Sequence, residues 1–348
     1  MNFKVGAVEI SNRDLCVIAE AGVNHNGSLE SAKELSLSAK RAGASIVKFQ
    51  TYKSEKLSSP LAKKFWNKTG DQSTDQNETY SKLDSFTFAQ YKELKKYCDS
   101  ISIEFMSTPF DIESVDMLLE LGVNAFKIAS CDINNFQLIA KVCDSQLPIF
   151  LSTGASEITE IVEAVTFIGE RGNPLCIMHC VLCYPTPIEQ ANLNSILFLR
   201  EQFPGHVVGF SDHTEGTQAS ILSVACGARV IEKHFTTKKD SIKLGDHWFA
   251  VDEPELAEIV REGDRMLTIL GDYNKSTLEV ELLAREQARR SIHSAKNLSV
   301  GHVIGMEDLI MLRPGNGIKP QLLNEIIGMK LLKDIPQYSL IHFEDLQK

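Results

Sequence analysis

Eight short apolar runs, each followed by an amphipathic or turn-rich stretch, limit what this chain can fold into more than any other feature. They are Cys16–Ala21, Ser45–Gln50, Glu104–Ser107, Ala125–Ala129, Ile149–Ser152, Leu175–His179, Val207–Ser211 and Val230–Phe235. Between them, Ser28–Arg41, Ile112–Leu121, Glu157–Ile168 and Gln218–Cys226 carry a helical period. Strands alternating with helices predict a parallel sheet, and near-continuous apolar runs predict strands covered on both faces. Eight such units fit the roughly 250 residues of a (β/α)8 TIM barrel. An open doubly wound sheet is the rival, but no G-x-G-x-x-G follows the first run.

Asn26-Gly27-Ser28 sets a turn and an N-cap before the first helix. Lys53–Ser85 is long, polar and weakly periodic, the mark of a lid or binding loop. Past Leu270, the turn-rich Gly271–Ser276 opens a linker. The expected division is a catalytic barrel over residues 1–272, a linker over 273–290 and a small domain over 291–348. The last piece is marginal alone and is expected to dock on the barrel or on a second subunit.

A formal net charge of −10 argues against nucleic acid or an anionic membrane as the main partner. No apolar run reaches the ~20 residues of a membrane span, and Met1–Glu20 does not read as a secretory leader. Of the eight cysteines, Cys16, Cys176 and Cys226 sit inside apolar runs, which fits reduced thiols in the cytoplasm. Cys180 and Cys183 form a lone C-x-x-C without the second pair of a zinc site. It reads as incidental packing.

A barrel presents its functional groups where strands end. In order, those ends are Glu20; Lys48 and Gln50; Ser107 and Thr108; Lys127 and Ser130; Ser152 and Thr153; His179; Ser211 and His213; and His234. The set suits an anionic, oxygen-rich ligand with a divalent metal. Lys48 and Lys127 are flanked by apolar residues, which is costly without a partner unless the stem lies along the surface with its head in water. A phosphate or carboxylate satisfies both, with Ser130, Ser152 and Ser211 as hydroxyl donors. His213 and His234 close consecutive runs, so parallel neighbours bring both imidazoles to one edge. There they bind a first-row metal or form a hydrogen-bonded core pair. His179 reads as a buried polar residue outside that site. Glu20 acts on a substrate hydroxyl, a proton or a metal-bound water, or else pairs with a lysine.

The motifs Ile18–Gly27, Val47–Thr51, Ser107–Phe110, Leu151–Gly154, Tyr184–Pro187, Ser211–Thr214, Ile231–Thr236 and Arg313–Gly317 follow one another along nearly the whole chain. In that order they resemble the sialic acid synthase family, which condenses phosphoenolpyruvate with an N-acylated amino sugar. The chain looks most like bacterial members that make neuraminic, legionaminic or related nonulosonic acids. The resemblance implies a barrel followed by an antifreeze-like (SAF) domain, in a domain-swapped homodimer where that domain covers the partner's active site. Arg313 would there reach the sugar's acyl group. It implies a divalent ion, Mn2+ or Mg2+, on His213 and His234. Phosphoenolpyruvate would lie on Lys48, Thr108, Lys127, Ser130, Ser152 and Ser211, and the sugar on Glu20, Gln50, Tyr184 and Asp246. Glu20, Lys48 and Lys127 would carry the chemistry, which ends in phosphate release by C–O cleavage.

The chain departs from the family pattern at Cys131-Asp132, where Ser-Gly-Glu is usual from Ser130 onward. It departs again at the apolar Val181-Leu182-Cys183, where a polar contact to phosphoenolpyruvate is expected to be missing, and at Arg289 and Arg290, where some neuraminic acid synthases carry aromatic residues. Two other functions stay open from the residues: a Schiff-base aldolase using Lys127, and a non-catalytic sugar-phosphate binding protein.

Overall fold

The computed structural model describes residues 2–66, 73–83, 86–239 and 246–348. An antiparallel hairpin, β1 (Phe3–Val5) and β2 (Val8–Ile10), precedes eight parallel strands. These are β3 (Cys16–Gly22), β4 (Ile46–Thr51), β5 (Glu104–Pro109), β6 (Phe126–Ile128), β7 (Ile149–Ser152), β8 (Leu175–Cys180), β9 (Val207–Asp212) and β10 (Val230–His234). They pair in sequence order, and β10 closes on β3 with His234 opposite Glu20. The barrel expected from the alternating runs is present, each strand within about two residues of its expected ends.

Side chains alternate across a strand, and here the alternation separates two cores. Val17, Val47, Phe105, Ile177 and Phe210 face the surrounding helices. Ile18, Ile46, Met106, Phe150, Met178 and Val230 fill the interior together with Phe3, Val5 and Ile10 of the hairpin. The hairpin thus plugs the amino-terminal end, a feature the apolar-run pattern does not announce because each of its strands has only three residues. Every large side chain buried this way stabilises the fold by about 1.5–3 kcal/mol. With one end plugged, the barrel opens at its carboxyl edge.

Local signals hold the connections there. The Ser28 hydroxyl accepts from Ser31 N at 3.2 Å to cap helix Leu29–Arg41, after Asn26 and Gly27 turn through positive φ. Of the long Lys53–Ser85 segment, Ser54–Leu57 and Gln76–Ser81 are helical; residues 67–72 and 84–85 lie outside the described ones. The last barrel helix, Glu253–Leu270, starts on a capping box between Asp252 and Glu255. All eight cysteines are free, Cys16 and Cys176 buried and Cys226 half-buried. Among the described residues no helix is long and apolar enough to cross a membrane.

The chain divides into two compact units, Met1–Gly271 and Asp272–Lys348. In the second, β11 (Ser291–Ser294) pairs with β12 (Leu309–Leu312), and β13 (Lys330–Leu331) with β14 (Leu346–Gln347), around Ile292, Ile304, Ile326 and Ile341. Residues 273–290 belong to this unit and contain a short helix, Leu282–Gln287. The unit is internally repeated. Lys296 Nζ meets Asp308 Oδ1 at 2.7 Å, and Lys333 Nζ meets Asp345 Oδ1 at 2.5 Å. The two lysines and the two aspartates are separated by the same number of residues, and so are Gly301 and Tyr338, both at positive φ. Leu298 and Ile335, equivalent under this repeat, exchange backbone hydrogen bonds at 2.9 and 2.8 Å, as residues beside a local two-fold axis do.

Packing inside the barrel is tight at Gly209, where a Cβ would stand 2.7 Å from the Val230 carbonyl oxygen. Backbone cannot retreat as a side-chain tip can. Gly209→Ala should destabilise the protein by about 1–3 kcal/mol, read as a lower urea midpoint with an unchanged slope; an unchanged midpoint contradicts the packing.

Candidate active site

The two-residue period of the strands aims one set of polar side chains into the open end. Glu20 comes from β3, Lys48 and Gln50 from β4, Thr108 from β5, Lys127 from β6, Ser152 from β7, Cys180 from β8, Ser211 from β9, and Glu232 and His234 from β10. They line one cavity of about 260 Å³. Ser130, Tyr184, His213 and Asp246, from the loops beyond the strands, line it as well. Arg313 lies in the second unit, exposed just after β12.

Four buried ionisable groups form the floor. Lys48 Nζ lies 2.7 Å from Glu20 Oε2 and 3.7 Å from Glu232 Oε2, and donates to Thr108 Oγ1 at 3.0 Å. Gln50 Nε2 donates to Glu20 Oε1 at 2.9 Å, and Ser211 Oγ to Glu232 Oε1 at 3.0 Å. Lys127 is less well served: its Nζ is 3.7 Å from Glu232 Oε1 and donates to the Ile128 carbonyl at 3.4 Å. Both readings of Glu20 thus meet in one place, since it pairs with Lys48 while facing the cavity.

The environments push these groups apart. Burial lowers Lys127, the neighbouring Lys48 lowers it further, and the attraction of Glu232 does not make up the loss. For Lys48 burial is outweighed by Glu20 and Glu232, which hold its ammonium up. Burial, with Glu232 adding to it, raises the Glu20 carboxyl despite Lys48. Glu232 is held down because Lys127 and Lys48 outweigh its burial. An under-coordinated ammonium at Lys127 and a buried Ser152 Oγ without a hydrogen-bond partner are donors waiting for an acceptor-rich anion.

Opposite stands the histidine pair, ring centroids 5.3 Å apart. His213 Nδ1 is 2.8 Å from the Val181 carbonyl oxygen; a carbonyl only accepts, so Nδ1 carries a proton and Nε2 is the nitrogen left for a metal. Burial, reinforced by the charges of His213 and Lys48, holds His234 well below the usual imidazole range. Its buried Nδ1 makes no hydrogen bond, and Asp246 Oδ2 lies 3.4 Å away. With a neutral ring that contact is not an ion pair. Burial of His213 is outweighed by Cys180 and the Val181 carbonyl, which hold its ring above the usual imidazole range; once that proton is lost, two adjacent imidazoles, one with an unpartnered buried nitrogen, match the donors a first-row divalent cation takes. Among the described residues no group of three His, Cys, Asp or Glu forms a ready metal cage, so further positions would fall to ligand and water oxygens. The Tyr184 ring covers His213 at 4.2 Å and faces His234 at 6.0 Å.

Other assignments need adjustment. Cys180 lines the cavity, with Sγ 3.8 Å from His213 Nδ1, while Cys183 is exposed. His179 is the buried polar residue expected, stacked on Phe210 and bonded to the Ala191 carbonyl at 2.8 Å. Cys131 and Leu182, where the chain departs from the family pattern, both line the cavity, and Ser130 Oγ accepts from Gly154 N at 2.9 Å. The residue missed by reading strand ends is Glu232. The signal was available, since Glu232 stands two positions before His234 and so shares its face, whereas Lys233 points outward to Asp212 at 2.8 Å.

Residues 37–275 match the NeuB family, and residues 289–347 match a SAF domain. The N,N'-diacetyllegionaminic acid synthase of Legionella pneumophila is 36% identical over 338 residues, covering 95% of this chain and 94% of that protein. The N-acetylneuraminate-9-phosphate synthase of Homo sapiens is 30% identical over 330 residues, covering 92% of this chain and 89% of that one. The crystal structure of the N-acetylneuraminic acid (sialic acid) synthetase of Leptospira borgpetersenii superposes with a TM-score of 0.74 at 33% identity, over 82% of this chain and 95% of that chain. The chain belongs to the NeuB family.

Lys127 supplies a test of the floor's electrostatics. Its folded value lies below that of an unfolded lysine, about 10.4. Between the two values the unfolded chain therefore binds more protons, and stability rises with pH. Lys127→Met should remove that slope, read as unfolding midpoints that no longer climb with pH across that window; a slope equal to the parent protein's contradicts the depressed ammonium.

Proposed function

We propose that this protein condenses phosphoenolpyruvate with an N-acylated amino sugar to give a nonulosonic, sialic-type acid and phosphate. The reading rests chiefly on one observation: under-satisfied donors at Lys127 and Ser152 share a cavity with a pair of adjacent imidazoles. The acid synthases among its relatives support the same class.

Lys48, Lys127, Thr108, Ser130, Ser152 and Ser211 bind the phosphate and carboxylate and orient carbon 3 of the enol toward the sugar. His213 and His234 hold Mn2+ or Mg2+; when bound, the ion supplies Lewis-acid polarisation of the sugar's aldehyde oxygen. Carbon 3 bonds to the aldehyde carbon, and positive charge develops at carbon 2 beside Glu20 and Glu232. Water adds to carbon 2, and the C–O bond to phosphate breaks to leave the ketone. Glu20, its carboxyl raised by burial, gives its proton to the former aldehyde oxygen and then takes one from that water, and the remaining proton of the added hydroxyl leaves with phosphate. Gln50, Tyr184 and Asp246 line the sugar's side.

The assembly we propose is a homodimer in the cytoplasm, where free cysteines are stable, with Arg313 of one subunit serving the partner's sugar. The exposed apolar residues Tyr273, Val280 and Leu283 support it by offering a face for a second copy.

Phosphate release should require phosphoenolpyruvate, an N-acylated amino sugar and a divalent ion together. His213→Ala and His234→Ala should each lower kcat/KM on the order of a hundredfold or more. Full turnover after exhaustive chelation sinks the metal assignment, and a borohydride-trapped pyruvate adduct on Lys127 sinks the condensation in favour of an aldolase.

A further inference from the structure

The histidine pair stands where two strands part. β9 and β10 run side by side in register, Ser211 opposite Glu232 and Asp212 opposite Lys233, and among the described residues that second rung is their last. Beyond it, the His213 carbonyl accepts from Thr186 N at 2.9 Å, and Thr214 bridges to Thr186. On the other strand Phe235 bridges to Val251, and its N–H donates to the Glu20 carbonyl at 2.8 Å. The backbone thus ties His213 to the loop after β8 and His234 to β3, on either side of a fork.

One side chain spans that fork. Lys233, the residue before His234, reaches the residues on both sides of His213. Its Nζ donates to Asp212 Oδ2 at 2.8 Å, to the Thr214 carbonyl at 2.5 Å and to Thr214 Oγ1 at 3.4 Å. An ammonium has three N–H groups, and each has an acceptor within reach. Asp212 is held in turn, Oδ1 accepting from Thr214 N at 2.8 Å and Oδ2 from Ser220 Oγ at 2.6 Å. Both charged side chains are fully buried, and neither lines the cavity.

Cohesion alone does not account for such a pair. Apolar side chains of similar volume hold two strands together about as well, because a buried ion pair must first offset the loss of its water. What charge-assisted bonds add over apolar contact is direction. Here they fix the backbone next to each of two imidazoles whose centroids are 5.3 Å apart. His213 has a further anchor in the Val181 carbonyl at 2.8 Å, whereas His234 Nδ1 makes no hydrogen bond.

Resting on the reading of His213 and His234 as ligands of a divalent cation, we propose that Asp212 and Lys233 are positioning residues for that cation. Their ion pair holds the two imidazoles at the separation one small ion requires. The lysines that face the anion, on β4 and β6, do not depend on it.

The test reads Mn2+ binding by electron paramagnetic resonance and, in metal-free buffer, phosphoenolpyruvate binding by calorimetry, both on the whole chain. Removing one partner strands a buried charge, so the decisive variant is Asp212→Asn/Lys233→Met, which removes both charges and keeps an acceptor for Thr214 N. Its Mn2+ affinity should fall about tenfold or more, while its phosphoenolpyruvate affinity and unfolding midpoint stay close to those of the parent protein. Ser220→Ala, which loosens Asp212 by one hydrogen bond, should weaken Mn2+ binding by a smaller factor. Unchanged Mn2+ affinity in both variants overturns the assignment. So does an equal loss for both ligands, or a double variant that no longer folds, since the pair is then a prop of the barrel. A parent protein that binds no Mn2+ overturns the reading of the histidines as well, and this one with it.

Discussion

Two ammonium groups and two carboxylates stand together at the carboxyl end of the barrel, largely shut off from bulk water, and much of the structure serves to keep them there. Desolvating such charges costs several kcal/mol each unless neighbours compensate. Compensation is complete for Lys48, which has Glu20, Glu232 and Thr108, and incomplete for Lys127. On the proposed reading the imbalance is useful chemically, because an arriving anion would complete coordination that the protein leaves short. The hairpin of β1 and β2 contributes by sealing the opposite end, so the charged layer rests on a dry apolar one.

How legible was this? The barrel could be read because every strand is covered on both faces and appears as an uninterrupted apolar run bounded by turns. The members of the cavity were legible for the same reason: a strand end is a place in space as well as in sequence. Glu232 escaped because a glutamate two residues inside a strand resembles its neighbour Lys233, and only the alternation of faces separates a cavity group from an outward ion pair. Cys180 escaped because a lone C-x-x-C carries no metal or redox signature by itself. The hairpin was too short to show a period. The repeat in the second unit keeps residue type at only some positions, such as Lys296 with Lys333 and Asp308 with Asp345, while Gly301 and Tyr338 match only in their positive φ.

The cavity itself is chemically divided. Its floor carries the two lysines and two glutamates, with the histidine pair beside them, while Phe65, Trp66, Tyr80 and Phe110 give it an aromatic side, and Leu182 and Cys131 line it as well. On the proposed reading, the charged floor would serve the anion, and the remaining lining would meet the acceptor.

The central claim is that both ammoniums converge on one small anion, and calorimetric titration of phosphoenolpyruvate in the absence of sugar tests it most directly. Saturable one-site binding is predicted, weakened about tenfold or more by Lys48→Met and again by Lys127→Met, as expected for lost charge-assisted hydrogen bonds. Affinity that is the same in both variants as in the parent protein would contradict the account.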